Sequence, residues 1–367
     1  MTRTLHIPFV RPVLAAALLA CSLLPAHAKD YLLTTCRPNL VVVADPDELK
    51  VVRSFTLPNS AVGHSPGVIV PSKDGKIGYV LHNRWESVSG IDLDTGKELF
   101  RADFSHDNVR GKVLNGMDLS PDGKELAVYV SPMVTLPGEY QVQDNYIAIY
   151  DTAAGLSAQP KRILKAPRRI TSLMWSTSGK TLYALGWDLY KIDPANGRIT
   201  GQHPMRAWQR PDFGQVDILN MWAQFEQSNI FTVPYFIPHK DKKTGTETVK
   251  AGIWTLNLAT DQVRFKEFED ASVVLFSSAT NPVRTDEVFT VYTTLTRTNV
   301  RTGEFKRIDL DHTFYNVNLS SDGKEVFVGG AQGEIAAYDT ETLTKRGSFF
   351  LPGKADAVAG SMRVIHR

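Results

Sequence analysis

The 367-residue sequence predicts an all-β protein, a seven-bladed β-propeller made of four-stranded antiparallel blades. Two short turn motifs recur along the chain, and runs of five to seven residues rich in β-branched and aromatic side chains lie between them. No segment shows sustained helical periodicity. A β-sandwich is the rival fold, but it does not require seven evenly spaced copies.

The first motif is Ser-x-Asp-Gly-Lys. It occurs at Ser72–Lys76, Ser120–Lys124 and Ser320–Lys324, with a close variant at Ser176–Lys180. Glycine accepts a positive φ, and Asp or Ser side chains cap tight bends. Each copy therefore predicts a hairpin turn inside a blade.

The second motif begins with Asp or Asn and often closes on Thr-Gly. Its mean spacing is about 49 residues, which suits one four-stranded blade. Seven copies predict seven blades, and they begin at Asp45, Asp92, Asp151, Asp193, Asn257, Asn299 and Asp339.

The two ends of the mature chain are expected to close the ring together. The runs that follow Asp30 match only the second, third and fourth strands of a unit, so a first strand is missing. The run 361–367 is strand-like and unclaimed. We predict that it forms the innermost strand of the first blade, which removes the open edges of the ring. Residues 29–367 would then be a single propeller domain.

Residues 1–28 have the form of a secretory signal peptide, with Arg3 and Arg11, an apolar run, and a small-x-small site at Ala26–Ala28. The apolar run is short for a transmembrane anchor. Cys21 leaves a lipoprotein site as a minor alternative. The predicted location is the periplasm, after cleavage of the signal peptide.

Removal of Arg3 and Arg11 lowers the number of basic residues from 41 to 39, which equals the 39 acidic residues. A neutral chain gives no indication of a nucleic-acid or membrane partner. Cys36 is left as a single thiol, and we interpret it as a small buried hydrophobe rather than half of a disulfide.

Loop length predicts which face of the disc binds partners. Turns after first and third strands are short, whereas the long segments 131–145 and 237–250 follow second strands, and 105–113 and 203–215 link blades. Function concentrates on long loops, and aromatic residues anchor interfaces. The candidates for a substrate pocket or subunit interface are Trp85, Tyr140, Trp208, Phe213, Tyr235, His312, Phe314 and Tyr315. For each one alone, packing against its own blade is the simpler interpretation.

Motifs for chemistry on this chain are missing. The sequence contains no Cys-x-x-Cys-His, His-Glu-x-x-His or Gly-x-Ser-x-Gly. The seven histidines after residue 28 have no tight metal-ligand spacing, and Asp107–Asn108 and Asp217 are only generic carboxylate and amide candidates. We therefore predict no catalytic residue, no metal and no cofactor on this chain, although ligands from several blades could meet at the axis.

Specific stretches resemble the β subunit of quinohemoprotein amine dehydrogenase. They are APRRITSLMWSTSGKTLYALGWDLYKIDPANG at 166–197, FSSATNPVRT at 276–285, and the stretch from His312 through LPG at 351–353. The resemblance extends over the mature chain in order, and it is more distant to the heavy chain of methylamine dehydrogenase.

The resemblance implies a role in a periplasmic heterotrimer. A large subunit would carry two c-type haems, and a small subunit would carry cysteine tryptophylquinone. The complex would deaminate primary amines oxidatively and pass electrons to a soluble cupredoxin or cytochrome c. This chain would hold the other subunits together and contribute to the amine pocket. A lactonase-like hydrolase with an axial metal and a simple binding or scaffold module are the competing classes.

Overall fold

The computed structural model of the protein describes residues 28–61, 64–206, 208–218, 223–357 and 360–367. Within them, seven small antiparallel sheets form a ring, which confirms the predicted seven-bladed all-β propeller. Residues 1–27, which include nearly all of the predicted signal peptide, lie outside the described part. None of the helices in the described ranges has the length and apolar character needed to cross a membrane.

Blades 1 to 4 contain the first half of the strands. Blade 1 has β1 (Asp30–Cys36), β2 (Leu40–Asp45) and β3 (Lys50–Thr56); blade 2 has β4 (Ile69–Pro71), β5 (Ile77–His82), β6 (Ser87–Asp92) and β7 (Glu98–Asp103); blade 3 has β8 (Val109–Lys112), β9 (Met117–Leu119), β10 (Glu125–Leu136), β11 (Glu139–Val142), β12 (Tyr146–Asp151) and β13 (Arg162–Lys165); blade 4 has β14 (Ser172–Trp175), β15 (Leu182–Leu185), β16 (Leu189–Ile192) and β17 (Ile199–His203).

Blades 5 to 7 follow, and the last strand returns to blade 1. Blade 5 has β18 (Asp217–Ile218), β20 (Ile230–Lys240), β21 (Glu247–Asn257) and β22 (Val263–Asp270); blade 6 has β19 (Ala223–Gln224), β23 (Ser277–Thr280), β24 (Glu287–Val291), β25 (Thr294–Asn299) and β26 (Phe305–Asp309); blade 7 has β27 (Asn316–Leu319), β28 (Glu325–Gly329), β29 (Glu334–Asp339) and β30 (Lys345–Phe350); β31 is Arg363–His366. In the described part of the chain, three single-turn 3-10 helices cover Gly155–Ser157, Ala331–Gly333 and Pro352–Lys354.

The ring closes as the sequence predicts. Strand β31 is the innermost strand of blade 1 and pairs antiparallel with β1, with Tyr31 opposite Ile365 and Leu33 opposite Arg363. The N-terminal and C-terminal strands therefore share one sheet. This arrangement completes the four strands of blade 1 and joins the two ends of the chain where the ring closes.

Both predicted turn motifs have the expected geometry. In the Ser120–Lys124 turn, Gly123 has φ of 71°, and the Ser120 hydroxyl donates to the Asp122 carboxylate at 2.6 Å. That hydroxyl and the backbone N–H of Lys124 lower the pKa of Asp122. In the second motif, the Asp339 carboxylate accepts the backbone N–H groups of the residues two and three positions later, at 3.0 and 2.7 Å. Local hydrogen bonds thus fix the turns that define the repeat.

Two segments that the sequence predicts as long loops are instead strand extensions. In blade 5, β20 and β21 remain paired as far as Lys240 and Glu247, and a short turn capped by Asp241 joins them. In blade 3, β10 continues to Leu136 and pairs with β11. Continuous antiparallel hydrogen bonding explains the difference, because it satisfies the backbone groups of these segments without a loop.

Apolar clusters between neighbouring blades form the core. One cluster joins blades 2 and 3 through residues such as Leu81, Phe100 and Val128, and another joins blades 4 and 5 through Met174 and Phe231. Inner and middle strands are buried on both faces, whereas the outer strand β3 alternates between exposed and half-buried residues. Face-to-face packing of the blades thus holds the innermost strands close to the axis.

Candidate functional site

The propeller has two faces, which differ in the turns they carry. The short-turn face carries the turns after first and third strands. The long-turn face carries the turns after second strands and the links between blades. Each of the eight predicted interface candidates lies on, or on a strand leading towards, the long-turn face.

Three of the candidates belong to one packed group in blade 5. The Trp208 ring stacks on Phe265 with centroids 4.0 Å apart and meets Tyr235 edge-on at 6.2 Å. Phe213 packs on the same cluster. Tyr235 is fully buried, and its hydroxyl donates to Glu267 at 2.6 Å.

A single cation joins these aromatic rings. The Arg210 guanidinium lies over Trp208 and Phe213 at 4.4 and 3.9 Å and is paired with Glu267. Burial opposes ionisation of Glu267, but the hydrogen bonds from Arg210 and Tyr235 outweigh it and lower the pKa of the carboxyl. Burial and the same carboxylate raise the pKa of Tyr235. We conclude that the buried Tyr235 supports the rings of Trp208 and Phe213 from the core side. Only the less buried members of this group can contact a partner.

Three further candidates meet between blades 6 and 7. The His312 Nε2 atom lies 2.7 Å from the Glu334 carboxylate, and the ring stacks on the buried Phe314 at 4.2 Å. The neighbouring Tyr315 lies against Phe276 at 5.3 Å. His312 is therefore oriented by a carboxylate on one side and an aromatic ring on the other.

The remaining two candidates stand apart from these groups. Trp85 is half-buried, has φ of 64°, and packs on the apolar cluster of blades 2 and 3. Tyr140 is 71% exposed on β11, a strand whose four residues are all exposed. The structure therefore brings six of the eight candidates into two groups, and the role of all eight in partner binding stays a prediction.

A cavity of about 520 Å³ lies at the axis and opens on the short-turn face. The sequence gives no indication of it. Five blades contribute to its lining, mainly through innermost strands and the turns that follow them, including Val70, Ser72, Asp118, Ser120, Trp175, Phe225, Glu226, Asn229, Val364 and His366.

Asp118 and Glu226 line this cavity, and Arg363 from a distant part of the chain lies beside them. Arg363 of β31, which is 4% exposed, is paired with Glu226, and its Nε atom donates to the carbonyl oxygen of Ile69 at 3.0 Å. Asp118 is buried and accepts backbone N–H groups from Trp175 and Leu119 at 2.7 and 2.9 Å. Burial, with a smaller contribution from the charge of the nearby Glu226, raises the pKa of Asp118 to about 8, although the hydrogen bond from the Trp175 backbone and the charge of Arg363 oppose the shift.

The generic candidates for chemistry do not come together. Asp107 and Asp217 are both strongly exposed. Within the described ranges, no three His, Cys, Asp or Glu side chains come close enough together to hold a metal ion. Cys36 is a buried free thiol in the apolar cluster of blades 1 and 7, and burial raises its pKa to about 11.

Comparisons with known proteins show similarity of fold alone. No family model matches the chain, and no curated protein sequence matches it. Among solved structures, hydrazine synthase of Kuenenia stuttgartiensis is similar with a TM-score of 0.58 and 16% identity, over 83% of this chain and 90% of that chain. Apo AztD of Citrobacter koseri has a TM-score of 0.54 and 12% identity, with coverage of 92% and 98%. Dihydro-heme d1 dehydrogenase NirN in complex with DHE has a TM-score of 0.52 and 12% identity, with coverage of 90% and 74%. The chain is a seven-bladed β-propeller of the kind found in these proteins.

Proposed function

We propose that this chain is the propeller subunit of a periplasmic quinohemoprotein amine dehydrogenase. The observation that carries the proposal is the resemblance of residues 166–197 and 276–285 to the β subunit of that family. These segments form blade 4 and the start of blade 6. Two of the fold neighbours, named hydrazine synthase and dihydro-heme d1 dehydrogenase, indicate that similar propellers occur in redox enzymes.

The residues present suit a scaffold better than a cofactor carrier. Cys36, the free cysteine in the described ranges, lies in the core and offers no attachment for haem or a quinone. Under the proposal both groups belong to partner subunits, where the quinone supplies the oxidation of the amine and the haems accept electrons. A soluble cupredoxin or cytochrome c would then take electrons from the complex.

The long-turn face supplies the contacts that a scaffold needs. It presents the outer rings of the Trp208 group, the His312 group and the exposed strand β11 on rigid blades. A permanent interface in such a complex buries about 2,000 Å² or more, which requires a broad preformed surface. The exposed Tyr140 and Val142 on β11 extend that surface outward from blade 3.

The experiment is mild affinity isolation of the tagged chain from its native source, followed by visible spectroscopy during addition of a primary amine. Co-purifying haem bands that sharpen on reduction support the proposal. The corresponding primary alcohol is the control, because it has no amine to oxidise and should leave the spectrum unchanged. A colourless preparation that contains only this chain would contradict the proposal.

The axial cavity favours a second candidate, a periplasmic binding module. Its volume of about 520 Å³ lies within the range of small-molecule sites, and its mixed lining places Asp118 and Glu226 beside apolar side chains such as Trp175 and Phe225. A colourless chain that binds a small molecule, with the affinity reduced by Glu226→Gln, would support this function instead.

A further inference from the structure

Two arginines contact the indole ring of Trp187 on the long-turn face. The guanidinium carbons of Arg169 and Arg206 lie 4.4 and 4.9 Å from the ring centroid. Trp187 itself is 37% exposed. The three side chains line a pocket of about 270 Å³, together with Leu185 and Ile218. This group is outside the eight candidates that the sequence predicts.

The backbone fixes the three side chains in place. The buried Asp188 carboxylate accepts the backbone N–H of Met205 at 2.6 Å and the Gln202 amide at 2.7 Å, which locks the turn of Trp187 to the link that follows blade 4. The backbone N–H of Arg206 donates to the carbonyl oxygen of Trp187 at 3.1 Å. Both Trp187 and Arg206 are therefore held by main-chain contacts.

Arg169 is positioned by close packing on the same turn. It has φ of 67°, a conformation that side chains other than glycine rarely adopt. A Cβ atom at Gly186 would lie 2.4 Å from the Arg169 carbonyl oxygen, so only glycine permits this approach. The free-energy cost of a positive φ at such a residue is tolerated where the surrounding structure fixes the backbone in that conformation.

The two guanidinium groups lack strong anionic partners. Among the described residues, Arg169 has no hydrogen bond or ion pair through its side chain, and Arg206 has one ion pair, at 4.0 Å, with the 82% exposed Asp217. Contact with an aromatic face stabilises a cation but does not neutralise it. Two neighbouring arginines beside one exposed tryptophan thus form a positively charged site with free donors.

We propose that Arg169, Trp187 and Arg206 form a carboxylate-binding site that anchors an acidic segment of a protein partner. Arg presents paired N–H donors that match the two oxygens of a carboxylate, and Trp and Arg are the residues that most often dominate the binding energy of interfaces. The small pocket accepts one side chain, while the long-turn face around it accepts the rest of the segment. That the partner is a dehydrogenase subunit rests on the proposed function; the carboxylate chemistry does not.

The first experiment measures binding of a hexaglutamate peptide to the full chain by isothermal titration calorimetry at low salt. The double variant Arg169→Gln/Arg206→Gln should weaken peptide binding at least about tenfold, because each hydrogen bond between a guanidinium and a carboxylate contributes strongly to the binding free energy. Trp187→Leu should also weaken it, whereas Trp187→Phe, which keeps a ring, should retain most of the affinity. Higher salt should weaken binding, since the site is partly exposed.

The matched control is Arg168→Gln/Arg198→Gln, which removes the same charge from exposed arginines that do not contact Trp187. It should change the affinity by less than about twofold if local geometry rather than net charge decides binding. Equal losses in both double variants, or no binding of the peptide at low salt, would overturn the proposal. Binding of malonate or inorganic phosphate as tight as that of the peptide would overturn the assignment to a protein partner.

A second experiment separates this inference from the proposed function. The Arg169→Gln/Arg206→Gln variant is tagged and isolated from the native source beside the wild type. Loss of co-purifying haem in the variant supports both ideas. If the variant retains haem, these residues do not anchor the partner, and the proposed function stands. If neither preparation contains haem but the peptide still binds specifically, only the proposed function is overturned.

Discussion

The buried Asp118 side chain in blade 3 accepts a 2.7 Å hydrogen bond from the backbone N–H of Trp175 in blade 4. A side chain of one blade therefore pairs with the innermost strand of the next. Innermost strands have one edge without a β-strand partner, and buried backbone groups there need another source of hydrogen bonds. Between blades 7 and 1 the direction is reversed, because Asn316 and Asn318 donate to the carbonyl oxygens of Gly360 and Met362, just before β31, at 2.9 and 3.0 Å.

Ionisation of Asp118 predicts a pH dependence of stability. Its pKa in the folded protein is raised from 3.8 to about 8, so between these values the folded state keeps a proton that the unfolded state has lost. The stability that this group contributes is fully present below pH 3.8 and is lost as the pH rises towards about 8. We expect Asp118→Asn, which cannot ionise, to gain stability relative to the wild type across this range.

The measurement is urea unfolding of both proteins at several pH values between 4 and 9. The informative quantity is the difference between their free energies of unfolding, because other titrating groups largely cancel. The Asp118→Asn substitution would place an amide group beside a backbone N–H, which lowers the free energy of unfolding by a constant amount. This constant does not change how the difference between the two proteins varies with pH. A difference that does not vary with pH would show that Asp118 titrates normally.

A second prediction compares the same glycine in two copies of the Ser-x-Asp-Gly-Lys turn. Gly123 and Gly323 have φ of 71° and 69°, but a Cβ at Gly123 would meet nothing within 4 Å, whereas one at Gly323 would lie 2.3 Å from the Asn281 side chain. Gly123→Ala should cost about 1–2 kcal/mol from backbone strain alone. Gly323→Ala should cost about 1–3 kcal/mol more, since it displaces a buried hydrogen-bonded amide.

Chemical denaturation of the two variants tests this difference. The fully buried Asn281 donates to the Gly323 carbonyl oxygen at 2.9 Å and accepts the backbone N–H groups of Val283 and Arg284. Movement of Asn281 therefore breaks contacts in two blades. Similar costs for the two substitutions would mean that the blade 6 turn relaxes freely around the new methyl group.

The sequence predicts the fold because the information is local. Each blade is marked by hydrogen bonds within a few residues, such as Ser120 with Asp122, and even the closure by β31 follows from counting strands in one repeat. The axial cavity is different, since Asp118, Glu226 and Arg363 come from distant parts of the chain. No local pattern distinguishes these three from ordinary charged residues near strand ends.

The interface candidates illustrate a related limit. Aromatic content near long segments does not reveal which way a ring points. Tyr235 lies within an eleven-residue strand and is fully buried, while Tyr140 on a similar extension is 71% exposed. The sequence does not single out Trp187, because its proposed role depends on two arginines that contact it from the links on either side of blade 4.

The last prediction separates packing from partner binding on the long-turn face. Trp208→Ala should lower the free energy of unfolding by about 2–4 kcal/mol, because the half-buried ring stacks on Phe265 and covers Tyr235. Tyr140→Ala should change it by less than about 0.5 kcal/mol, because the side chain is exposed. In pull-down from the native source, Tyr140→Ala should nevertheless reduce recovery of partner subunits.

Urea unfolding and the pull-down must be read together. If Trp208→Ala left stability unchanged, the ring would not support blade 5, and any loss of assembly would then reflect direct contact with a partner. If Tyr140→Ala recovered partners as well as the wild type, β11 would lie outside the interface. Ile163→Ala is the control for an exposed apolar side chain on the outer strand of the same blade, since Ile163 is 62% exposed. It should leave both measurements unchanged, because the outer edge of the disc is not part of the proposed binding face.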